Sequence, residues 1–510
     1  MVFTSVFKSL ISKRWLFLLV AFALLRLGFW FAVFPNSDEA YYWLWGQNPG
    51  WSYYDHPPLN AWIQGGLSAI VGRSTFALRL SNLFSNAALF YTYYKIISYL
   101  YCREIQYYFL LTVLLILASP LYFLFLSLAW HDHWLITFSL IAAYWFVTFL
   151  DGYLDRQAQT WRLYASAIAI GLAMLCKYNA IFVIFGFVAV LIADRRVRAL
   201  WRDRRLYGAA AIVSLSFIPV LGWNISNGFQ SFHYYFDRSV QPASPGIKVG
   251  AFLAFTIVSF LVVSPFYWRG FYTSLTRPSS LIRKNSLYPT VALWVFAVSS
   301  IFLILLSLVS AALYYWNITA YLLLFPLLPT AFFVQGSTQN STLKVKPIFW
   351  VTQLYGLLFA TLLVMHYGLL PLSALVSRDA DPDSRMLFGW DKIETVVTTQ
   401  AEMLGASPLL ITTDYRSAAA LAYQLNNKAV IALSDRVDQF DFWYPNNSSL
   451  QGRNAVILSD DWFPVPPKLL AQFDRVSPPE TVSITRFGVW IKNYYVQKGY
   501  QFKGNNLWKK

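Results

Sequence analysis

Apolar residues along this chain come in long unbroken runs separated by short polar clusters. That is the spacing of buried helices, not of alternating strands. A helix needs roughly 17–25 such residues to cross a bilayer. Runs of this kind cover 15–34, 76–94, 107–130, 134–150, 161–176, 179–193, 206–223, 250–268, 287–312, 318–334 and 348–370, which predicts eleven spans. The runs 161–176 and 179–193 are short for two spans. One long helix is the alternative, but it would put Arg156 and Arg162 on the opposite side of a membrane from the arginines of 195–205. The preference of basic loops for one side favours a hairpin turning at Lys177-Tyr178-Asn179. The first run follows Lys8, Lys13 and Arg14 without a small-residue cleavage pattern, so an uncleaved first helix is expected.

Beyond residue 370 the pattern shortens. Pro408–Thr412, Ala429–Leu433 and Ala455–Ser459 read as strands, and the Ala-rich Tyr415–Leu425 as a helix. The expected division is a membrane domain over 1–370, with a first outer loop at 35–75, and a small α/β domain over 371–510. An odd span count puts that domain on the side opposite the N-terminus.

Composition agrees. Hydrophobic residues make up 57% and charged residues 13%, about half the usual soluble share. This describes a polytopic α-helical membrane protein. Two cysteines exclude a disulfide scaffold and a thiolate metal cluster. The net charge of +16 resembles a nucleic-acid signal until it is placed on the chain. With the N-terminus cytoplasmic, nineteen Lys and Arg fall in inner segments and four, Arg73, Lys177, Arg238 and Lys248, in outer loops. The surplus is a topology signal held by anionic lipid headgroups, and no nucleic-acid partner is expected.

The acids sort the other way. Asp38, Glu39, Asp55, Asp132 and Asp237 fall in outer loops, with His56, His131, His133 and His233. Carboxylate or imidazole chemistry therefore belongs to the outer face. Asp38-Glu39 sits at a membrane edge, where charge is costly unless solvated or paired. Asp38 reads either as a helix cap or as a reactive group. Downstream, Tyr53-Tyr54-Asp55-His56-Pro57-Pro58 presents Asp55 and His56 on a proline-stiffened loop.

These segments carry a resemblance. Asp38-Glu39-Ala40-Tyr41-Tyr42-Trp43, then Tyr53-Tyr54-Asp55-His56-Pro57-Pro58-Leu59, resemble the bacterial PMT-like glycosyltransferases of the GT-C class. These are relatives of protein O-mannosyltransferases and of the lipid A aminoarabinose transferase. The likeness continues through Ser119-Pro120, Asp132, Lys177-Tyr178, Trp223-Asn224, Ser231-Phe232, Asp381-Pro382, Gly389-Trp390, Asp414-Tyr415 and Gln439–Trp443. His56 stands where the aminoarabinose branch has lysine.

The resemblance implies a GT-C fold in a bacterial inner membrane, with the C-terminal domain extracytoplasmic. It implies a polyprenyl-phosphate sugar donor and a glycan, lipid or protein acceptor in the envelope. Independently, the chain has no Gly-rich phosphate loop of either standard form for a nucleotide. The implied reaction is an inverting single displacement with Asp38 as base, and Glu39 or Asp132 orienting it or binding the acceptor. Lys177, Arg238, His56 and Tyr315 are the candidates for the leaving phosphate. Lys177 also reads as a cation snorkelling from a helix end, and Tyr314-Tyr315-Trp316 as an aromatic belt. Asp55 and His233 match a divalent-metal pair of the aminoarabinose branch, although two ligands alone do not make a zinc site. Arg26 and Arg79 within spans, with Tyr54, Tyr178 and Asn224, are candidate cavity residues, the arginines also as ion-pair partners of Asp38 or Glu39. A transporter or lipid flippase with an outer binding domain is the competing reading. It is disfavoured because no repeated halves occur.

Overall fold

The computed structural model describes residues 13–240, 246–277, 279–334, 344–405, 407–445 and 450–504, with the side chains of 238–240, 334 and 344 excepted. The chain does not divide at 370/371. One compact unit comprises residues 1–26, 56–60 and 81–361, and a second comprises 27–55, 61–80 and 362–510. The first outer loop therefore divides between the units, with most of it in the second.

Among the described residues, four helices are long and apolar enough to cross a membrane, Lys13–Ala32, His131–Leu154, Tyr288–Ser307 and Pro347–Gly368. Two more candidate spans are bent pairs: Arg204–Ser216 with Ile218–Ser226, at 42°, and Val249–Val263 with Trp268–Thr276, at 87°. Shorter apolar helices cover Ile105–Leu117, Thr160–Cys176 and Tyr178–Ala193. Several expected spans are thus interrupted. The run 107–130 stops at Leu117 and restarts as Pro120–Phe125, because Pro120 has no amide hydrogen to continue the ladder. The run 250–268 turns at Ser264, whose φ of 116° precedes Pro265.

The run 318–334 departs furthest from expectation. Only Ile318–Leu322 is α-helical, followed by turns around Pro326 and Pro329, yet the segment is almost wholly buried. Irregular backbone at such depth needs internal partners for its carbonyls. Tyrosines supply them. The Tyr122 hydroxyl donates to Ile318 O (2.6 Å), Tyr93 to Leu322 O (2.9 Å), Tyr288 to Leu323 O (3.0 Å) and Tyr101 to Pro326 O (2.8 Å). Part of the high tyrosine content is therefore structural.

Within the first unit, His131–Leu154 packs along Thr160–Cys176, and Ile181–Ala193 packs on Tyr288–Ser307. The second contact is close because Gly186 has no side chain: a Cβ there would lie 2.6 Å from Val295 Cγ2. The Arg205 guanidinium lies over the Phe149 ring at 5.7 Å, and Trp201 Nε1 donates to Leu191 O. The arginine-rich run thus returns to the end where His131–Leu154 finishes, and the two short helices form a hairpin. The same end holds Asp155 with Arg283 at 3.3 Å, and Asp151 accepting from Tyr99, Ser286 and the Leu287 amide. Phe333–Val334 (β1) pairs there with Lys344–Val345 (β2), Phe333 lying against Tyr107 and Tyr108.

The second unit holds a six-stranded mixed sheet. Its strands are Leu409–Thr412 (β3), Val430–Ala432 (β4), Ala455–Asp460 (β5), Phe473–Val476 (β6), Glu480–Arg486 (β7) and Val489–Phe502 (β8). The order is β4-β3-β5-β8-β6, with β7 also on β8. β4, β3 and β5 are parallel, and β8 runs antiparallel to β5. Phe487 and Gly488, at φ 50° and 77°, make the two-residue turn joining β7 to β8. Helix Tyr415–Leu425 buries Ala418, Ala419 and Ala422 completely, and the first-loop helix Ser37–Gln47 packs on it. Gly46 and Gly65 let backbones meet, since a Cβ on Gly46 would lie 2.6 Å from Gly65 N.

Candidate active site

The second unit carries a carboxylate centre. Pro35 ends the preceding segment, and Asn36 caps helix Ser37–Gln47 by accepting from the Asp38 amide at 3.0 Å. Glu39 closes the capping box by accepting from the Asn36 amide at 2.9 Å. The cap is Asn36, so the capping reading of Asp38 is corrected. Glu39 is also gripped by Arg79, Nη2 to Oε2 at 2.6 Å and Nε to Oε1 at 2.9 Å, with both side chains fully buried. Arg79 further donates to Phe29 O and Val33 O and stacks over Phe29. Glu39 is therefore held at the helix start, with its carboxylate buried between Arg79 and the Asn36 amide. Arg79 is its ion-pair partner.

Asp38 is left partly open. Tyr415 Oη approaches its Oδ1 at 3.4 Å. Its pKa is raised to about 6, first by burial and then by Asp383, while Arg416 and Arg436 pull it down and Asp55 adds to the rise. Asp55, the next carboxylate, accepts from Tyr41 Oη at 3.0 Å and Arg436 Nη2 at 2.6 Å. Tyr41 Oη in turn accepts from the Gln439 amide, and the Tyr54 amide donates to Gln439 Oε1, both at 2.8 Å. The Tyr54 ring stacks on Phe442 at 5.4 Å. Arg436 lies over the Tyr415 ring at 4.3 Å, and Arg416 pairs with Asp383 at 2.5 Å.

Beside Tyr415 is a cleft of about 340 Å³. Its walls follow the carboxyl ends of the three parallel strands: Thr413–Arg416 after β3, Ser434–Arg436 after β4, and Trp462–Pro464 after β5. Open parallel sheets bind ligands at such a switch of strand order. The β5 wall is held by Asp460, which accepts from the Trp462 and Phe463 amides and pairs with the fully buried Lys492 at 2.5 Å.

The first unit carries a second centre. Lys177 adopts an extended conformation at the break after helix Thr160–Cys176, and Asp132 lies in the first turn of His131–Leu154. Lys177 Nζ meets both Asp132 oxygens, at 2.8 and 2.9 Å, in a buried pair. It also stands 4.9 Å from the Tyr315 ring centroid. The snorkelling reading of Lys177 is thereby corrected, because its ammonium is turned inward. Tyr315 is half-buried and packs against Phe125 and Trp130. His56 Nδ1 shares a 2.7 Å hydrogen bond with Tyr235 Oη, and its ring lies 4.5 Å from that of His131. Tyr178 meets Ser231 Oγ at 3.4 Å and the Tyr235 ring edge-on. Asn224 is buried and shapes the following turn, bonding Val220 O, the Phe229 amide and the Phe232 amide. Arg26 donates to Ser127 Oγ at 3.2 Å and lies over Phe123. Arg238 falls in helix Gln230–Val240, but its side chain lies outside the described residues.

The expected metal pair does not find a ligand set. Both Asp55 oxygens are already engaged by Tyr41 and Arg436. His233 is exposed, and no three His, Cys, Asp or Glu gather as ligands among the described residues.

Tyr415, Arg416, Arg436 and Asp383 surround Asp38 without having been singled out as site residues. The available signal was Asp414-Tyr415-Arg416 and Ser434-Asp435-Arg436, each following a short apolar strand.

The sequence profile of the dolichyl-phosphate-mannose-protein mannosyltransferase family matches residues 55–223. The chain is 25% identical over 286 residues to the lipid A galacturonosyltransferase RgtD of Rhizobium johnstonii, across 56% of this chain. That match spans 58% of the relative's own length. Two crystal structures of ArnT from Cupriavidus metallidurans share the fold. The apo form superimposes with a TM-score of 0.63 at 14% identity, over 94% of this chain and 97% of that one. The form bound to undecaprenyl phosphate gives 0.61 at 15%, over 95% and 98%. The fold is therefore GT-C, a helical membrane body with a small C-terminal sheet domain. Within that class, the chain is similar in sequence to the mannosyltransferase family and to RgtD, and in fold to ArnT.

Proposed function

We propose that this chain is a membrane glycosyltransferase that moves a sugar from a polyprenyl-phosphate donor to a hydroxyl of an envelope acceptor on the extracytoplasmic face. In the proposed step, Asp38 takes the proton of the acceptor hydroxyl. The hydroxyl oxygen attacks the anomeric carbon on the face opposite the phosphate, the carbon–oxygen bond to phosphate breaks, and the polyprenyl phosphate leaves with the bonding electrons. The anomeric configuration inverts. Lys177, with His56, Tyr315 and Arg238, offers the groups that would compensate the charge of the leaving phosphate. The cleft after β3, β4 and β5 offers the acceptor aromatic faces at Trp462 and Phe463 and cations at Arg416 and Arg436.

The observation that carries the reading is Asp38: a first-turn carboxylate excused from capping, whose pKa of about 6 suits a base near neutral pH. The likeness to ArnT, whose structure binds undecaprenyl phosphate, and to a lipid A galacturonosyltransferase supports the lipid-linked donor and the envelope acceptor. The test compares polyprenyl-phosphate sugars and envelope glycans in cells with and without the gene. One polyprenyl-phosphate sugar should accumulate, and one glycan substituent should vanish, when the gene is removed. Unchanged profiles of both would overturn the proposal.

A further inference from the structure

The basic end of the first unit contains a cavity of about 830 Å³ that the proposed transfer does not use. It is lined by Arg269, Arg277 and Lys346, with the apolar residues Pro265, Phe266, Phe332 and Ile348. We propose that this cavity is a binding site for the phosphodiester headgroup of an anionic membrane phospholipid, independent of the glycosyl-transfer reading.

Charge is the first argument. No carboxylate lines the cavity among the described residues, and neither Arg269 nor Arg277 has an ion-pair partner there. Among the described residues, Lys346 Nζ donates to Ala331 O, at 2.8 Å, and meets no carboxylate, which leaves its charge uncompensated there. The chain segments 264–285 and 326–350 contain no Asp or Glu at any position. Three cations around one cavity without a counter-charge repel one another, and a phosphate removes that cost. Ser279 adds a donor: its Oγ accepts from the Leu281 amide at 3.3 Å, so its O–H remains available.

Shape is the second argument, and it selects a lipid over free phosphate. Helix Trp268–Thr276 turns 87° from the apolar helix Val249–Val263. It buries Gly270, Phe271 and Ser274 while exposing Arg269, Tyr272 and Arg277. A short helix at a right angle to an apolar helix, with Trp268 and Tyr272 beside two arginines, has the character of an interfacial helix. Phe266 and Ile348 give the cavity an apolar wall that a lipid's glycerol and upper acyl carbons would cover and an inorganic ion would not. Basic pockets between spanning helices bind anionic headgroups by this combination.

The test uses the full chain, purified in detergent and incubated with phosphatidylcholine vesicles or with phosphatidylcholine vesicles containing phosphatidylglycerol. Native mass spectrometry then reads the lipid retained. Phosphatidylglycerol should be retained selectively, with each of Arg269→Gln, Arg277→Gln and Lys346→Gln weakening retention about fivefold. Thr273→Trp, which fills the cavity and keeps all three charges, should also lose the lipid. Arg195→Gln with Arg198→Gln, which removes two charges elsewhere on the same end, should not. Equal retention of both lipids, or retention unchanged in the triple glutamine variant, would overturn the proposal. Displacement of the lipid by inorganic phosphate alone would overturn the lipid assignment in favour of a phosphate site.

Discussion

Lys177 donates to both carboxylate oxygens of Asp132, at 2.8 and 2.9 Å, with both side chains buried. A buried pair stands only while both partners remain, and removing one typically costs 3–5 kcal/mol. Lys177→Ala and Asp132→Asn should each lower the thermal denaturation midpoint in detergent, and Lys177→Met/Asp132→Leu should recover most of the loss. If Lys177 also meets the donor phosphate, the recovered double variant should still bind a polyprenyl-phosphate sugar about ten- to a hundredfold more weakly than wild type. Donor affinity that returned together with stability would leave the pair a purely structural role.

Glu39 and Arg79 predict a different signature. Their charges are matched, fully buried and built into a helix cap. Glu39→Gln should destabilise by about 3 kcal/mol or more, because Arg79 would keep its charge without a carboxylate. At temperatures where the variant stays folded, turnover should remain within a few-fold of wild type. A folded Glu39→Gln protein with turnover reduced a thousandfold would return Glu39 to the reacting groups.

The buried tyrosines test the irregular segment after Ile318. Tyr93→Phe and Tyr288→Phe remove the donors to Leu322 O and Leu323 O and leave those carbonyls unsatisfied in the interior. Each should cost about 1–3 kcal/mol. Tyr91→Phe, an exposed hydroxyl on the same helix as Tyr93, should be neutral within about 0.5 kcal/mol. Equal effects at Tyr91 and Tyr93 would mean that the carbonyls find other partners.

Much of this architecture was legible in the chain because long apolar runs and short strands are local signals. Helix Tyr415–Leu425 falls where its Ala-rich pattern and the preceding Asp414 put it, and β3, β4 and β5 overlap the three apolar stretches. β7 was not legible, since five of its seven residues are exposed and no alternation survives. β8 carries Trp, Ile, Tyr and Val beside an X-Gly turn, a readable hairpin signal masked by its Lys, Asn and Gln. Hydropathy also joined 318–334 into one helix, because apolar content does not register that two prolines break the ladder while tyrosines from elsewhere repair it. At the site, Asp38 was recognisable from its own loop, but Tyr415 and Asp383 lie more than three hundred residues later in the chain. No local pattern could join them.

Asp38 yields two opposed consequences of one shift. Its folded pKa of about 6 lies above the ordinary carboxylate value, so the folded chain binds a proton there more tightly than the unfolded chain does. The Asp38 contribution therefore favours folding at low pH and is lost as pH rises from about 4 to about 6. Asp38→Asn should denature at a higher temperature than wild type at pH 7, with the gap closing as pH falls toward 4. The same substitution should abolish transfer, because the amide cannot take the acceptor proton. In wild type, kcat/KM should rise with pH through an acid limb near 6, as the base ionises. Asp383 is exposed on the short helix Pro382–Arg385, and its charge holds that pKa up, so Asp383→Asn should move the limb to lower pH. Arg416 holds the pKa down, and Arg416→Gln should move the limb to higher pH. Two shifts of opposite sign from charges flanking one carboxylate are not expected from general destabilisation. A limb that stayed in place in both variants would assign the titrating base to another residue.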